Sequence, residues 1–253
     1  MMKRILCSIF ILFSSFSTLY AQSGIRDSII RFPFIGIGYG LYQPAGDMAD
    51  RFGINSQFTG DLIFKTKKNF LFGVSGGFIF GDKIKETNLL SAISTENGQV
   101  IGYDGLYADV RTFERGYQLS AVFGKIIPFK KPNKNSGIVI MGGPGFIQHK
   151  IRIENIGNTA PQLTKAYLKG YDRLTNGLEM REFIGYIYFS NRQLVNFFGG
   201  FEFIQGFTSG RRDYNFDDPK QTENKDRIDH LMGFKLGWVL PLYKKKPAAY
   251  YFY

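Results

Sequence analysis

Residues 69–82, NFLFGVSGGFIFGD, decide the fold because their side chains alternate in size along the chain. The even-numbered positions are mostly large and apolar, namely Phe70, Phe72, Val74, Phe78 and Phe80. The odd-numbered positions include the small residues Gly73, Ser75 and Gly77. Because successive side chains of a strand point to opposite faces, this segment predicts a strand with one aromatic and one small face. A water-soluble sheet would carry polar residues on its second face, whereas a narrow barrel in a bilayer has lipid outside and little room inside.

Seven further segments alternate in the same way: Phe32–Tyr42, Phe58–Thr66, Tyr117–Ile127, Gly137–His149, Leu178–Ser190, Val195–Thr208 and Ile228–Leu240. Each supplies the roughly 9 to 11 residues that a tilted transmembrane strand needs. We therefore predict an all-β fold, an eight-stranded antiparallel up-and-down transmembrane β-barrel. It occupies residues 22–253 as one domain with a short basic C-terminal tail.

The connections between these segments alternate in length. The short ones are Lys67–Asn69, Pro128–Ser136 and Asn191–Leu194. The long ones are Gln43–Gln57, Gly81–Arg115, Glu154–Gly177 and Ser209–Asp229. Outer-membrane barrels have short periplasmic turns at one rim and long external loops at the other. The alternation therefore predicts the orientation of the barrel and places both termini on the periplasmic side.

The N-terminus is typical of a secretory signal peptide. Residues 1–4 are short and basic, residues 5–20 are largely apolar, and Ala21 is the natural cleavage point. The only cysteine, Cys7, lies inside this segment, so the mature chain is predicted to have no disulfide and no thiolate metal site. Export together with a barrel fold predicts the outer membrane of a Gram-negative bacterium.

The formal net charge of +11 is distributed unevenly along the chain. The four long loops carry three more acidic than basic residues. The predicted periplasmic rim carries no acid and the following bases: Lys67, Lys68, Lys130, Lys131, Lys134, Arg192, Lys244, Lys245 and Lys246. This location argues against a nucleic-acid partner. The lysines either snorkel to anionic lipid headgroups or form a docking surface for an envelope protein.

Two further sets of residues are candidates for specific contacts. Inside the barrel, alternation points Asp61, Lys65, Glu202 and Lys235 inward, where they are predicted to form ion pairs that fill the interior. Near the external end, Arg111, Arg115, Lys150 and Arg152 are predicted to meet lipopolysaccharide phosphates. Loop residues of the types that anchor interfaces are Tyr171, Arg173, Arg211, Arg212 and Tyr214. Solvation of the loops is the alternative reading of this last set.

The cleavage site Ala21-Gln22, the segment FIGIGYGLYQPAGDMADRFG at 34–53 and the aromatic–glycine strands resemble a known group. They are similar to the small outer-membrane β-barrel proteins of Bacteroidota, loosely called PorT-like or OmpX/OmpA-barrel-like. The resemblance covers essentially the whole mature chain. It implies the architecture and leaves the function open, because this fold hosts adhesins, assembly factors, secretion accessories and a few enzymes. The chain departs from many such barrels in continuing past its last strand with PLYKKKPAAYYFY, residues 241–253.

Enzymatic and metal-dependent functions find little support in the sequence. His149 and His230 are the only histidines, and no motif ties a nucleophile to either. The run DYNFDD at 213–218 departs from a calcium loop at Asp218 and again at Asn224. We therefore predict a non-catalytic protein without metal or cofactor, acting as a structural or accessory subunit of a secretion or outer-membrane biogenesis complex. A surface adhesin and an enzyme that modifies lipid A or peptides are the alternatives.

Overall fold

The chain forms a closed barrel of eight antiparallel strands in the computed structural model, which describes residues 28–192, 195–217 and 225–243. The strands are β1 Phe32–Gly46, β2 Asn55–Lys65, β3 Phe70–Gly81, β4 Val110–Pro128, β5 Gly137–Asn155, β6 Thr175–Phe189, β7 Asn196–Gly210 and β8 Asp226–Pro241. A short helix, α1 (Met48–Arg51), follows β1, and single 3₁₀ turns lie at Ser91–Ile93, Ile156–Asn158 and Tyr167–Gly170. The prediction of an eight-stranded antiparallel up-and-down barrel is confirmed. The predicted signal peptide lies outside the described residues.

No helix within the described ranges is both long enough and apolar enough to cross a membrane.

The ring closes where β8 pairs with β1. Following paired residues from Phe32 through all eight strands leads to Gly233 and then to Tyr42 of β1, an offset of ten residues (42 − 32). Such a stagger tilts the strands against the barrel axis. With eight strands, the interior is just wide enough to be filled by side chains.

The two faces of each strand differ as the alternation predicts. In β3, Phe72 and Phe78 face outward and are about half exposed, whereas Ser75 and Ile79 face inward and are buried. Along β8, the outward residues from Met232 to Leu240 are likewise large and apolar, and Lys235 points inward. The outer wall is thus an apolar surface of the kind that lipid surrounds.

Strands β4 and β5 extend furthest beyond the predicted bounds, from which the other strands differ by four residues or fewer at either end. β4 begins at Val110 instead of Tyr117, and β5 ends at Asn155 instead of His149. Val110 pairs with Asn155, so the two strands form an arm that continues the barrel wall at the external end. The inward residues of this arm are buried under the external connections, which is why pairing continues beyond the length needed to span a bilayer.

The interior has three layers. Phe32, Phe34, Phe183 and Phe189 belong to an apolar layer at the short-turn end. A second apolar layer at the external end joins inward residues such as Ile79 and Ile147 to loop residues such as Met48, Phe52, Leu89 and Val100. Polar and charged side chains lie between the two. Each end of the barrel is therefore closed by apolar packing.

Candidate functional site

A layer of buried charged residues crosses the middle of the barrel. We call it the polar belt; its charged members are Asp61, Glu179, Arg181, Glu202 and Lys235, all at most 4% exposed. They come from β2, β6, β7 and β8. Inward side chains of these strands lie at the same height in the barrel and therefore form one layer. Charges buried this deeply have to be paired and hydrogen-bonded.

Lys235 lies between two carboxylates of the polar belt. Its Nζ is 3.4 Å from Asp61 Oδ2 and 3.6 Å from Glu202 Oε1. The ammonium also lies 5.5 Å from the ring centre of Phe198. The structure thus brings together three of the four residues that alternation placed inside the barrel.

Arg181 is the second cation of the polar belt. Its guanidinium lies 3.7 Å from Glu179 Oε1 and 3.9 Å from Glu202 Oε1, and it donates a hydrogen bond to Ser75 Oγ. Neither Glu179 nor Arg181 was among the predicted interior ion pairs. A signal was present, since Leu178 and Met180 alternate with them as outward residues.

Tyr42 connects strand β1 to this layer. Its hydroxyl donates a hydrogen bond to Glu202 Oε2 of β7, past the intervening strand β8. Gly40 makes this possible, because a Cβ at that position would lie 2.5 Å from the Tyr42 ring. The sequence offers no local sign of a contact between residues 160 positions apart.

Lys65 lies apart from the polar belt, which corrects its assignment to the interior ion pairs. Its Nζ donates hydrogen bonds to Asn135 Oδ1 at 2.8 Å and to the carbonyl oxygen of Ile30 at 3.0 Å. Lys65 is the last residue of β2, so its side chain reaches the short-turn mouth, where the β4–β5 turn folds inward and supplies Asn135. The lysine helps to close that mouth.

Little space remains inside the barrel. A cavity of about 10 Å³ lies beside Asp61 and is otherwise lined by apolar residues such as Phe34 and Phe183. That volume holds at most about one water molecule. The charged side chains of the polar belt are at most 4% exposed, so little water reaches them.

The external connections pack on one another and cover the barrel. Arg51 and Arg173 both bind Glu86, at 2.9 and 2.8 Å, and Arg173 also contacts Asp217. Burial alone would lower the pKa of the Arg173 guanidinium. The hydrogen bond with Asp217 and the negative charge of Glu86 outweigh burial, so the pKa of Arg173 is raised. Asp172 accepts two hydrogen bonds from Arg212 at 2.6 and 2.7 Å. This network holds all four external connections together.

Three of the predicted loop contacts belong to this cover, which corrects their assignment to a partner surface. Tyr171 and Arg173 are at most 5% exposed, and Arg212 is held by Asp172. Long-range packing between connections removed Tyr171 and Arg173 from the surface, whereas the Arg212 side chain stays 21% exposed. Tyr214 remains half exposed, and Arg211 is exposed and bonded to Asn176.

A basic group lies on the outward face of the β4–β5 arm. Arg115 pairs directly with Lys150 in register, so two like charges stand opposite each other. Arg152 and Arg111 are exposed nearby and bind Glu154 and Asp109. A cavity of about 370 Å³ opens beside Arg115, Lys150 and Arg152, and the Asp172 carboxylate, which is bound to Arg212, also lines it. Directly opposed like charges are unfavourable unless an anion joins them, so the group suits a phosphate.

The short-turn rim is basic and exposed. Six of its predicted members lie in described turns with exposed side chains: Lys67, Lys68, Lys130, Lys131, Lys134 and Arg192. The described parts of these turns contain no acidic residue. Lys244, Lys245 and Lys246 lie outside the described residues. The turns place the charged ends of these lysines and of Arg192 around a closed mouth, where an acidic surface or lipid headgroups can be bound.

The two histidines lie on opposite faces of the wall. His149 is buried, with Nε2 2.9 Å from Asp229 Oδ2 and the Phe52 ring 5.5 Å away. Thr208 donates a second hydrogen bond to Asp229. His230 faces outward and stacks on Phe203 at 5.5 Å. Among the described residues, no group of three or more His, Cys, Asp or Glu is placed to hold a metal.

No protein-family model and no curated protein matches the sequence. Solved barrels align with it at low identity. Ail, the attachment invasion locus protein of Yersinia pestis, crystallised with the heparin analogue sucrose octasulfate, is 11% identical, with 83% of this chain and 98% of Ail covered and a TM-score of 0.39. Neisserial surface protein A is 7% identical; the alignment covers 81% of this chain and 96% of that protein, with a TM-score of 0.40. The N-terminal β-barrel domain of Pseudomonas aeruginosa OprF is 10% identical, with 81% and 96% covered and a TM-score of 0.35. The architecture of this chain rests on its own strand pairing, and these likenesses assign it neither family nor ligand.

Proposed function

We propose that the protein is a non-catalytic β-barrel of the outer membrane of a Gram-negative bacterium. It acts by contact, as a structural or accessory subunit of a secretion or outer-membrane biogenesis complex. The outward faces of its strands support the membrane location: Ile37, Leu236 and Phe234 are 68–70% exposed. Continuous apolar surface of this extent marks contact with lipid or protein. The filled interior favours contact over transport.

The basic short-turn rim is the observation that carries the proposed role. Its lysines are exposed on turns whose described residues include no acid, and they surround a mouth that the Lys65–Asn135 contact closes. Such a surface attracts an acidic partner and aligns it before contact. Lipid headgroups alone would also satisfy these charges, so the partner has to be found by experiment.

Crosslinking in native outer membranes tests the role. Lysine-reactive crosslinking, mild-detergent purification and mass spectrometry should recover a stoichiometric partner joined through the turn lysines. Changing Lys67, Lys68, Lys130 and Lys131 to Gln should remove that partner. Changing the exposed external lysines Lys165 and Lys169 to Gln is the matched control and should leave it. A barrel that is recovered alone would show that the lysines only anchor it in lipid.

The external basic group is assigned to lipopolysaccharide phosphates as part of this proposal. Arg115 and Lys150 stand opposite each other on the outward face, just above Tyr117 and Gln148. Aromatic side chains at this height are typical of the membrane interface. A phosphate bound between Arg115 and Lys150 would form charge-assisted hydrogen bonds with both.

Surface adhesion is the second candidate, and one feature favours it. Tyr103, Leu106 and Tyr107 are 75%, 68% and 62% exposed at the tip of the connection between β3 and β4. Exposed aromatic residues of this kind anchor protein interfaces. Changing all three to Ser should abolish attachment to a host surface and leave the envelope intact; unchanged attachment would argue against adhesion through this tip.

A further inference from the structure

Glu182 is an acidic residue on the outer wall. It is the eighth of the fifteen residues of β6, so it lies at the centre of the strand. Its neighbours Arg181 and Phe183 point inward and are buried, whereas Glu182 is exposed. If the barrel spans a bilayer as proposed, this carboxylate faces hydrocarbon near mid-depth.

The immediate surroundings of Glu182 are apolar. On the same face of β6 stand Met180 and Ile184, which are 42% and 54% exposed. In register with it lie Gly142 on β5 and Phe203 on β7. No hydrogen bond or ion pair joins Glu182 to another side chain within the described parts of the chain. An ionisable group facing lipid is costly, so such residues mark functional surfaces.

Polar character continues from Glu182 onto the next two strands. Gln205 of β7 faces outward and pairs in register with His230 of β8. Phe203, which pairs with Glu182, stacks on the His230 ring. On the other side of the barrel, the outward residues of β1 to β3 at similar depth are apolar, among them Ile37, Leu62 and Val74. Within the described wall, the side formed by β6 to β8 is therefore less suited to lipid than the side formed by β1 to β3.

We propose that this side, defined as the Glu182 wall (Met180, Glu182, Phe203 and Gln205, with Gly142 beside them), contacts a second membrane-spanning protein. That partner presents a lysine or arginine at mid-depth, which pairs with the Glu182 carboxylate in the absence of water. Gly142 is required by the barrel itself, because a Cβ there would lie 2.5 Å from the Arg181 carbonyl oxygen, and it leaves the surface beside Glu182 without a covering side chain. The inference rests on the proposed function and adds to it the surface used inside the membrane.

Charge placement favours a different protein over a second copy of this chain. The outward cation of the described wall nearest the short turns is Lys125, three residues before the end of β4, where it lies 5.0 Å from the Phe70 ring. Arg115 and Lys150 lie at the external end. A symmetric pair of barrels keeps every residue at its own depth, so none of these cations would reach Glu182.

Photocrosslinking in native outer membranes tests the inference. A photoreactive amino acid is placed at Met180 and, as the control position, at Leu62 on the opposite wall. We expect a protein adduct at position 180 and lipid alone at position 62. In the Glu182→Leu background the adduct should fall at least about tenfold, the effect of losing one charge-assisted hydrogen bond on an affinity. Lys125→Leu removes an outward charge elsewhere and should leave the adduct unchanged.

Charge exchange completes the test. The crosslinked peptide should contain a basic residue within a membrane-spanning segment, and changing that residue to Glu should restore the adduct of Glu182→Lys. Lipid adducts at position 180, adducts that persist in Glu182→Leu, or a barrel–barrel adduct would each overturn the inference. If the turn lysines still capture a partner while the Glu182 wall captures none, the proposed function stands and the inference about the Glu182 wall fails. If neither surface captures a partner, the proposed function and the inference both fail.

Discussion

Replacing Arg181 with methionine removes the cation that lies closest to Glu179 and is shared with Glu202. The guanidinium lies 3.7 and 3.9 Å from these carboxylates. With an effective dielectric constant of about 20, each attraction amounts to about 4 kcal/mol. Desolvation of a buried arginine offsets several kcal/mol of that sum. We therefore expect the free energy of unfolding to fall by about 3–5 kcal/mol, the usual cost of breaking a buried ion pair.

Urea unfolding of the barrel in lipid vesicles measures this change. Trp238 is the only tryptophan, and it is 57% exposed on the outer wall, so its fluorescence reports loss of contact with lipid. The double variant Arg181→Met with Glu179→Gln should be less destabilised than Arg181→Met alone, because Arg181 is the one cation that pairs with Glu179 among the described residues. A loss below about 1 kcal/mol for Arg181→Met would refute the paired, dry polar belt and indicate a hydrated interior.

Three further changes test other parts of the molecule. Tyr42→Phe removes the hydrogen bond to Glu202 and should cost about 1–3 kcal/mol in the same assay, whereas no loss would mean that water replaces the hydroxyl. Arg173→Ala breaks the links between external connections, so limited proteolysis there should accelerate while the urea midpoint stays nearly constant; a large fall in that midpoint would show that cover and barrel unfold together. Changing both Arg115 and Lys150 to Ser should lower retention of lipopolysaccharide by the purified barrel about tenfold, and equal retention would exclude that phosphate site.

Strand number, order and facing could be predicted from the sequence because they depend on local alternation. In β3 and β8 the large residues fall on every second position, which fixes the outward face without knowledge of any partner strand. The ends of β4 and β5 could not be predicted in this way. Val110 and Asn155 pair beyond the predicted strands because the external connections cover their inward neighbours, and that packing is not local.

The polar belt could be predicted only in part. Asp61, Glu202 and Lys235 stand alone among apolar or small residues, so alternation revealed their inward direction. Arg181 was missed because β6 carries charges on both faces, with Glu182 directly after it. For Lys65 the inward direction was predicted but the partner was not. The position of its partner Asn135 depends on how the distant β4–β5 turn folds.

Conductance in planar lipid bilayers tests the central claim most directly, namely that the barrel is filled and acts by contact. The purified protein is inserted at known density, with the fluorescence of Trp238 as the check on insertion. We expect no stable ion conductance for the wild-type barrel, because two apolar layers and the polar belt close its interior. Reproducible ohmic steps from inserted wild-type barrels would contradict it and indicate a pore.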